Sequence, residues 1–161
     1  MTTEEAIRVR VSVRTYRPDP VDPTTMERLR ASIRSAVPFF PALGARIELI
    51  SEPERAGRIF TGLNKVFGRV PHALVGLSLR DPGAYENLAF MEEQVVLEAT
   101  KLGLGTCWIA GNFNFEEAAR MLRATAGEVA SNAIAFGDGQ SSLYNTVNSS
   151  WNLNGSAVVY C

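Results

Sequence analysis

The chain of 161 residues has one histidine, His72, and two cysteines, Cys107 and Cys161. So small a set excludes a multi-histidine metal centre, a repeated Cys/His zinc motif and a disulfide framework, and no metal site is expected. No apolar run approaches the roughly 18 residues that span a bilayer, and Met1 is not followed by a charged-then-apolar leader, so a cytoplasmic protein is expected. The G-x-x-x-x-G-K-[ST] phosphate loop is also missing. The one close glycine cluster follows a helical pattern, where a dinucleotide fingerprint follows a strand, so neither nucleotide-binding motif is present.

Charge is scarce in a more informative way. Sixteen Lys and Arg against seventeen Asp and Glu leave a net charge of −1, which gives no general attraction to nucleic acid or an acidic membrane. Every cation lies at or before Arg123, and the remaining 38 residues carry only Glu128 and Asp138. That end of the chain cannot hold an anion by side-chain charge.

What remains is an ordinary globular composition, 46% hydrophobic and 20% charged, in a chain long enough to bury a core without cross-links. Thr2 or Thr3 caps a first helix to about Val9, with Glu4 and Glu5 in its first turn. Asp22 and Pro23 open a second, whose apolar stripe is Met26, Leu29, Ile33 and Val37. ARIELIS alternates as a half-buried strand, helical spacing resumes over 52–67, and the apolar run 73–79 predicts a central strand. A long helix follows Pro82 and Gly83, with Leu88, Met91, Val95, Leu97 and Leu102 mostly buried, and Gly103 stops it. Asn114 with Glu117 caps a helix to about Thr125, and 133–136 form the last core strand. This alternation predicts one α+β (α/β-like) domain over residues 1–140. A divergent tail, 141–161, holds nine Ser or Asn and one short strand pattern at 157–160.

Two segments could carry chemistry. In the extended stretch RVSVRTYRPDPV, Arg10, Ser12 and Arg14 are two residues apart and share a face. That face suits a phosphate or an electron-rich carbonyl system, and equally a solvated strand face. In GLGTCWIAGNF, residues 103–113, three glycines admit a flat ligand against the main chain and Trp108 offers a broad apolar surface; a tight turn with a buried Trp is the plainer reading. Cys107 is expected to be a packing residue and His72 a strand-end polar residue. The Asn148 and Asn154 glycosylation patterns are expected to be chance.

Together these segments resemble the nitroreductase family of flavoproteins. RVSVRTYRPDPV is similar to that family's opening R-x-S-x-R motif, and YENLAFMEEQVVLEATKLGLGTCWIAGNF is similar to its central helix and G-L-G-T-C-W loop, as carried by a bacterial subgroup. The resemblance covers roughly residues 4–136. It implies a nitroreductase-type fold: a central mixed β-sheet flanked by helices, with a long central helix and a shortened C-terminal part. It further implies FMN held non-covalently at a homodimer interface. Arg10, Ser12 and Arg14 would meet the phosphate or the pyrimidine edge; Trp108, Ile109 and Ala110 would run along the ring, with main-chain NH groups at Ala110 or Gly111 near N5. No separate catalytic side chain is implied, since the chemistry is the flavin's. The implied activity is electron transfer from NAD(P)H to a nitroaromatic, quinone or related small acceptor. The alternative is a non-catalytic flavin-binding or interaction protein derived from that family. Because the chain has no cation after Arg123, the FMN phosphate would be offset by Arg10 and Arg14 or by a partner subunit.

Overall fold

The computed structural model describes residues 1–62, 69–109 and 111–139. In chain order the elements are α1 (Thr3–Val9), α2 (Pro23–Ser35), β1 (Ala45–Ile50), α3 (Pro53–Ile59), β2 (His72–Leu79), α4 (Pro82–Lys101), β3 (Gly105–Ile109), α5 (Phe115–Met121) and β4 (Glu128–Gly137). The four strands lie in the order β1-β2-β4-β3 with every neighbouring pair antiparallel. Among the described residues, parallel pairing, which the expected mixed sheet requires, enters only as an isolated bridge between Ser12 and Thr106.

Local chemistry sets the helix starts. Thr2 closes a capping box on α1: Glu5 N–H donates to Thr2 Oγ1 at 3.2 Å and Thr2 N–H to Glu5 Oε2 at 2.8 Å, satisfying two donors that the helix leaves free. Asp22 Oδ1 accepts from both Thr24 and Thr25 N–H at 3.0 Å, with Pro23 in the first turn of α2. Asp81 does the same for Gly83 and Ala84 at the head of α4.

The sheet is covered on both faces. In β2, Ala73, Val75 and Leu77 join Ile59, Phe60, Cys107, Ile109 and Phe113 in the core beneath α3 and α5. Leu74 points the other way, into a core with Leu29, Leu88, Val95, Val96, Ile134 and Phe136 beneath α2 and α4. Burial of each large aliphatic side chain contributes about 1.5–3 kcal/mol. Cys107, 1% exposed, is a packing residue as expected. His72 is the first residue of β2 but is enclosed, not merely strand-terminal. Val21 N–H donates to its Nε2 at 3.0 Å, which leaves Nδ1 protonated and donating to Ser51 O at 2.7 Å.

Several expected boundaries move. Val37 leaves the α2 stripe and is 61% exposed, because Pro38 disfavours helical backbone in the residue before it. Its N–H and C=O are held instead by the Gln94 amide at 3.1 and 2.8 Å. The helix expected over 52–67 ends at Ile59, where Phe60 bridges to Phe113; residues 63–68 lie outside the described residues. α5 ends at Met121 rather than near Thr125, with Arg123 in left-handed backbone at φ 52°. The last core strand starts at Glu128, five residues early, and is fastened by a bidentate Arg46 at 2.9 and 3.0 Å that pulls the Glu128 pKa down to about 2. Leu97 in α4 and Leu102 at its C-cap are only half-buried, and Val96 takes a core position. The tail 141–161, its strand at 157–160 and both glycosylation patterns lie outside the described residues.

Candidate functional site

The extended segment after α1 lies against β3. Arg10 caps α1, donating its N–H to Ala6 O at 2.9 Å, and the chain then straightens. Ser12 bridges Thr106, and Val13 N–H donates to Thr106 O at 2.8 Å. Val11 and Val13 turn into the core, so Arg10, Ser12 and Arg14, all half-buried, occupy the other face. Gly105 permits the approach: a Cβ there would sit 2.7 Å from Val13 Cβ.

Arg10 is the most distinctive of the three. Its Nη1 is fully buried and has no hydrogen-bond partner among the described residues, and the same holds for Thr106 Oγ1 on β3. A buried guanidinium nitrogen without an acceptor costs desolvation energy that a bound anion or carbonyl would recover. Arg14 Nη1 donates to Ser12 O at 3.5 Å.

Trp108 lies on the α4 side of β3, packed against that core and half-buried. Its indole Nε1–H donates to Glu93 Oε2 at 3.2 Å. Burial pushes the Glu93 carboxyl pKa up, while the Arg10 charge and the Trp108 hydrogen bond oppose that rise. Ile109 buries its side chain among the α3 and α5 core, so it has only its main chain to offer a ligand. Ala110 lies outside the described residues. Gly111 is exposed, with nothing within 4 Å of where a Cβ would stand, so the backbone there is open to a flat molecule.

Thus the fold brings the Arg10–Arg14 segment alongside β3 and sets Glu93, which nothing in the sequence singles out, where it accepts from Trp108 and feels the Arg10 charge. Of the three glycines in this run, Gly105 admits Val13, while Gly103, which ends α4 at φ 81°, and Gly111 both face open space. Beyond the Ile109–Ala133 pair, where β3 stops, a cavity of about 690 Å³ opens between α4 and α5. Tyr85, Ala89, Phe115, Ser131 and Asn132 line it, with Arg80 at its margin. Deeper on the same face, Glu92 is 0% exposed and accepts from Asn132 Nδ2 at 2.7 Å. Its position four residues after Leu88 and three before Val95, on the apolar stripe, is a signal the sequence does carry. No cluster of three or more metal-ligating residues occurs among the described residues, and no helix there is long and apolar enough to cross a membrane.

The architecture is a two-faced α+β sheet with an arginine-bearing extended segment beside β3 and a long helix across one face. Solved structures share it. An FMN-dependent nitroreductase from Clostridium difficile R20291 superposes with a TM-score of 0.71 at 17% identity, over 85% of this chain and 87% of that one. A nitroreductase family protein from Clostridium novyi NT gives 0.71 at 17%, over 87% and 86%. Nitroreductase A from Vibrio parahaemolyticus gives 0.72 at 16%, over 88% and 70%. The sequence matches the family described as "Putative TM nitroreductase" over residues 2–155, and the chain belongs to that nitroreductase family. No curated protein matches it by sequence.

Proposed function

We propose that this protein is an FMN-dependent oxidoreductase that takes electrons from NAD(P)H and delivers them to a nitroaromatic, quinone or related small acceptor, working as a homodimer. The observation that carries this reading is the buried, unpartnered Arg10 Nη1 beside the Ser12–Thr106 bridge, in a chain of the nitroreductase family. The residues present fit FMN. Arg10 and Arg14 would offset the phosphate or the negative charge that grows on the ring during reduction, and Ser12 adds a hydroxyl between them. Trp108 forms a side wall, and the main chain at Ile109, Ala110 and Gly111 would run along the ring. When bound, the flavin supplies the redox chemistry; the protein supplies binding, orientation and charge. The cavity beyond Ile109, walled by Tyr85 and Phe115, falls within the size range of small-molecule pockets and would receive a planar acceptor.

Anaerobic addition of NADH or NADPH to the FMN-loaded protein is expected to bleach the visible flavin absorption, and air is expected to restore it. Bound FMN that stays oxidised under both donors would instead favour the non-catalytic alternative. Arg14→Ala is expected to weaken FMN retention by roughly tenfold, the worth of one charge-assisted hydrogen bond, with little change in Tm. Full flavin occupancy in that variant would remove Arg14 from the site.

A further inference from the structure

Arg10 and Trp108 are 98 positions apart in the chain, yet one side chain answers to both, to Trp108 by a hydrogen bond and to Arg10 through charge alone. Glu93 projects from the middle of α4, half-buried, and receives the indole N–H of Trp108 on Oε2 at 3.2 Å. The Arg10 charge acts on the same carboxylate, although Arg10 Nη1 makes no hydrogen bond. We propose that Glu93 is a positioning residue of the cofactor site: its carboxylate fixes the Trp108 indole by a hydrogen bond and steers the Arg10 guanidinium by charge, setting the spacing between them. This deepens, and rests on, the reading of the site as an FMN site.

The two functions of the carboxylate separate chemically. An amide oxygen accepts the indole N–H as a carboxylate does, but carries no charge to hold Arg10. Trp108 is only half-buried at the rim of the α4-side core, so packing alone leaves the ring room to turn and the hydrogen bond to Glu93 is what fixes the indole. Arg10, in contrast, forms no ion pair within 4.0 Å among the described residues, and its Nη1 is free to engage a ligand. Removing the Glu93 charge leaves a more strongly positive pocket, which favours the reduced, anionic state of a flavin.

Glu93→Gln and Glu93→Ala test this, read by tryptophan emission of the FMN-free protein, FMN affinity and flavin midpoint potential. Trp151 background is removed by subtracting the spectrum of Trp108→Phe. Glu93→Ala is expected to shift Trp108 emission to longer wavelength and weaken FMN by roughly tenfold. Glu93→Gln is expected to keep the wild-type emission and bind FMN at least as well, with a midpoint potential raised above wild type. Wild-type emission and affinity in Glu93→Ala, or an unchanged potential in Glu93→Gln, would overturn the proposal. Should the wild-type protein bind no FMN, the FMN reading fails by itself, and the emission of Glu93→Ala still decides whether Glu93 positions Trp108.

Discussion

Glu92→Gln is expected to leave the fold intact and to abolish a decline in stability of roughly 5 kcal/mol that the wild-type protein undergoes between pH 4.5 and pH 8. Burial raises the Glu92 carboxyl pKa from 4.5 to about 8, with the Asn132 hydrogen bond opposing that rise. A raised folded-state pKa means that the native protein keeps a proton which the unfolded chain releases above pH 4.5. The stabilisation is therefore complete below pH 4.5 and is lost as pH rises through 8. The geometry agrees. Asn132 Nδ2 donates to Glu92 Oε2 at 2.7 Å, while Glu92 Oε1 and Asn132 Oδ1 are both buried acceptors without a partner. Both converge on Gly76, where a Cβ would lie 2.7 Å from one and 2.8 Å from the other. A protonated Glu92 turns one of these acceptors into a donor, and the acid can then pair with the amide at both ends. Glutamine supplies an N–H in place of that O–H at every pH. Denaturant midpoints across the range would show a flattened profile in Glu92→Gln; a profile parallel to wild type would mean that Glu92 is ionised in the fold. With that slope removed, His72 should contribute a loss of stability on the acid side, before the range in which Glu128 gives up its pairing with Arg46. Burial lowers its pKa from 6.5, so the unfolded chain takes up a proton below pH 6.5 that the folded chain refuses, and stability falls on acidification.

Gly105→Ala is expected to cost about 1–3 kcal/mol and to cut FMN affinity at least tenfold, by about 1.4 kcal/mol or more of binding energy. The new methyl would stand 2.7, 2.7 and 2.8 Å from Val13 Cβ, Cγ1 and Cγ2. No rotation of a β-branched side chain withdraws its own Cβ, so the strand segment itself has to retreat. The Ser12–Thr106 bridge and the 2.8 Å bond from Val13 N–H to Thr106 O hold that segment in place, and Arg10 and Arg14 would retreat with it. Gly111→Ala serves as the control, because nothing lies within 4 Å of its Cβ position and its Tm should match wild type. Equal stability of the Gly105 variant and wild type would show that residues 10–14 are not anchored on β3.

These two cases also show where the sequence is legible and where it is not. A cap at Thr2 or Thr3, the Asp22 and Asn114 caps, the long α4 and the alternation that separates Val11 and Val13 from Arg10, Ser12 and Arg14 are local patterns that residue spacing carries; the structure chooses Thr2 and closes a capping box there. The end of α3 is not local: helical spacing runs on past Ile59, but Phe60 is taken by a bridge to Phe113, more than fifty positions away. The same holds for the glycines. A glycine in a G-L-G-T-C-W run announces a close approach without saying to what, and at Gly105 the answer is Val13. Glu92 and Glu93 are adjacent in sequence yet face different partners, Asn132 of β4 and Trp108 of β3, so their separate roles appear only once the sheet is assembled.

Titration of the purified protein with FMN, followed by quenching of flavin fluorescence and run in parallel on Arg10→Ala, tests the cofactor site most directly. Saturable binding of one FMN per chain, weakened by roughly tenfold or more in Arg10→Ala, is the predicted result, because that variant removes the buried cation whose Nη1 lacks an acceptor. Absence of saturable binding to the wild-type protein, or equal affinity in the variant, would contradict it.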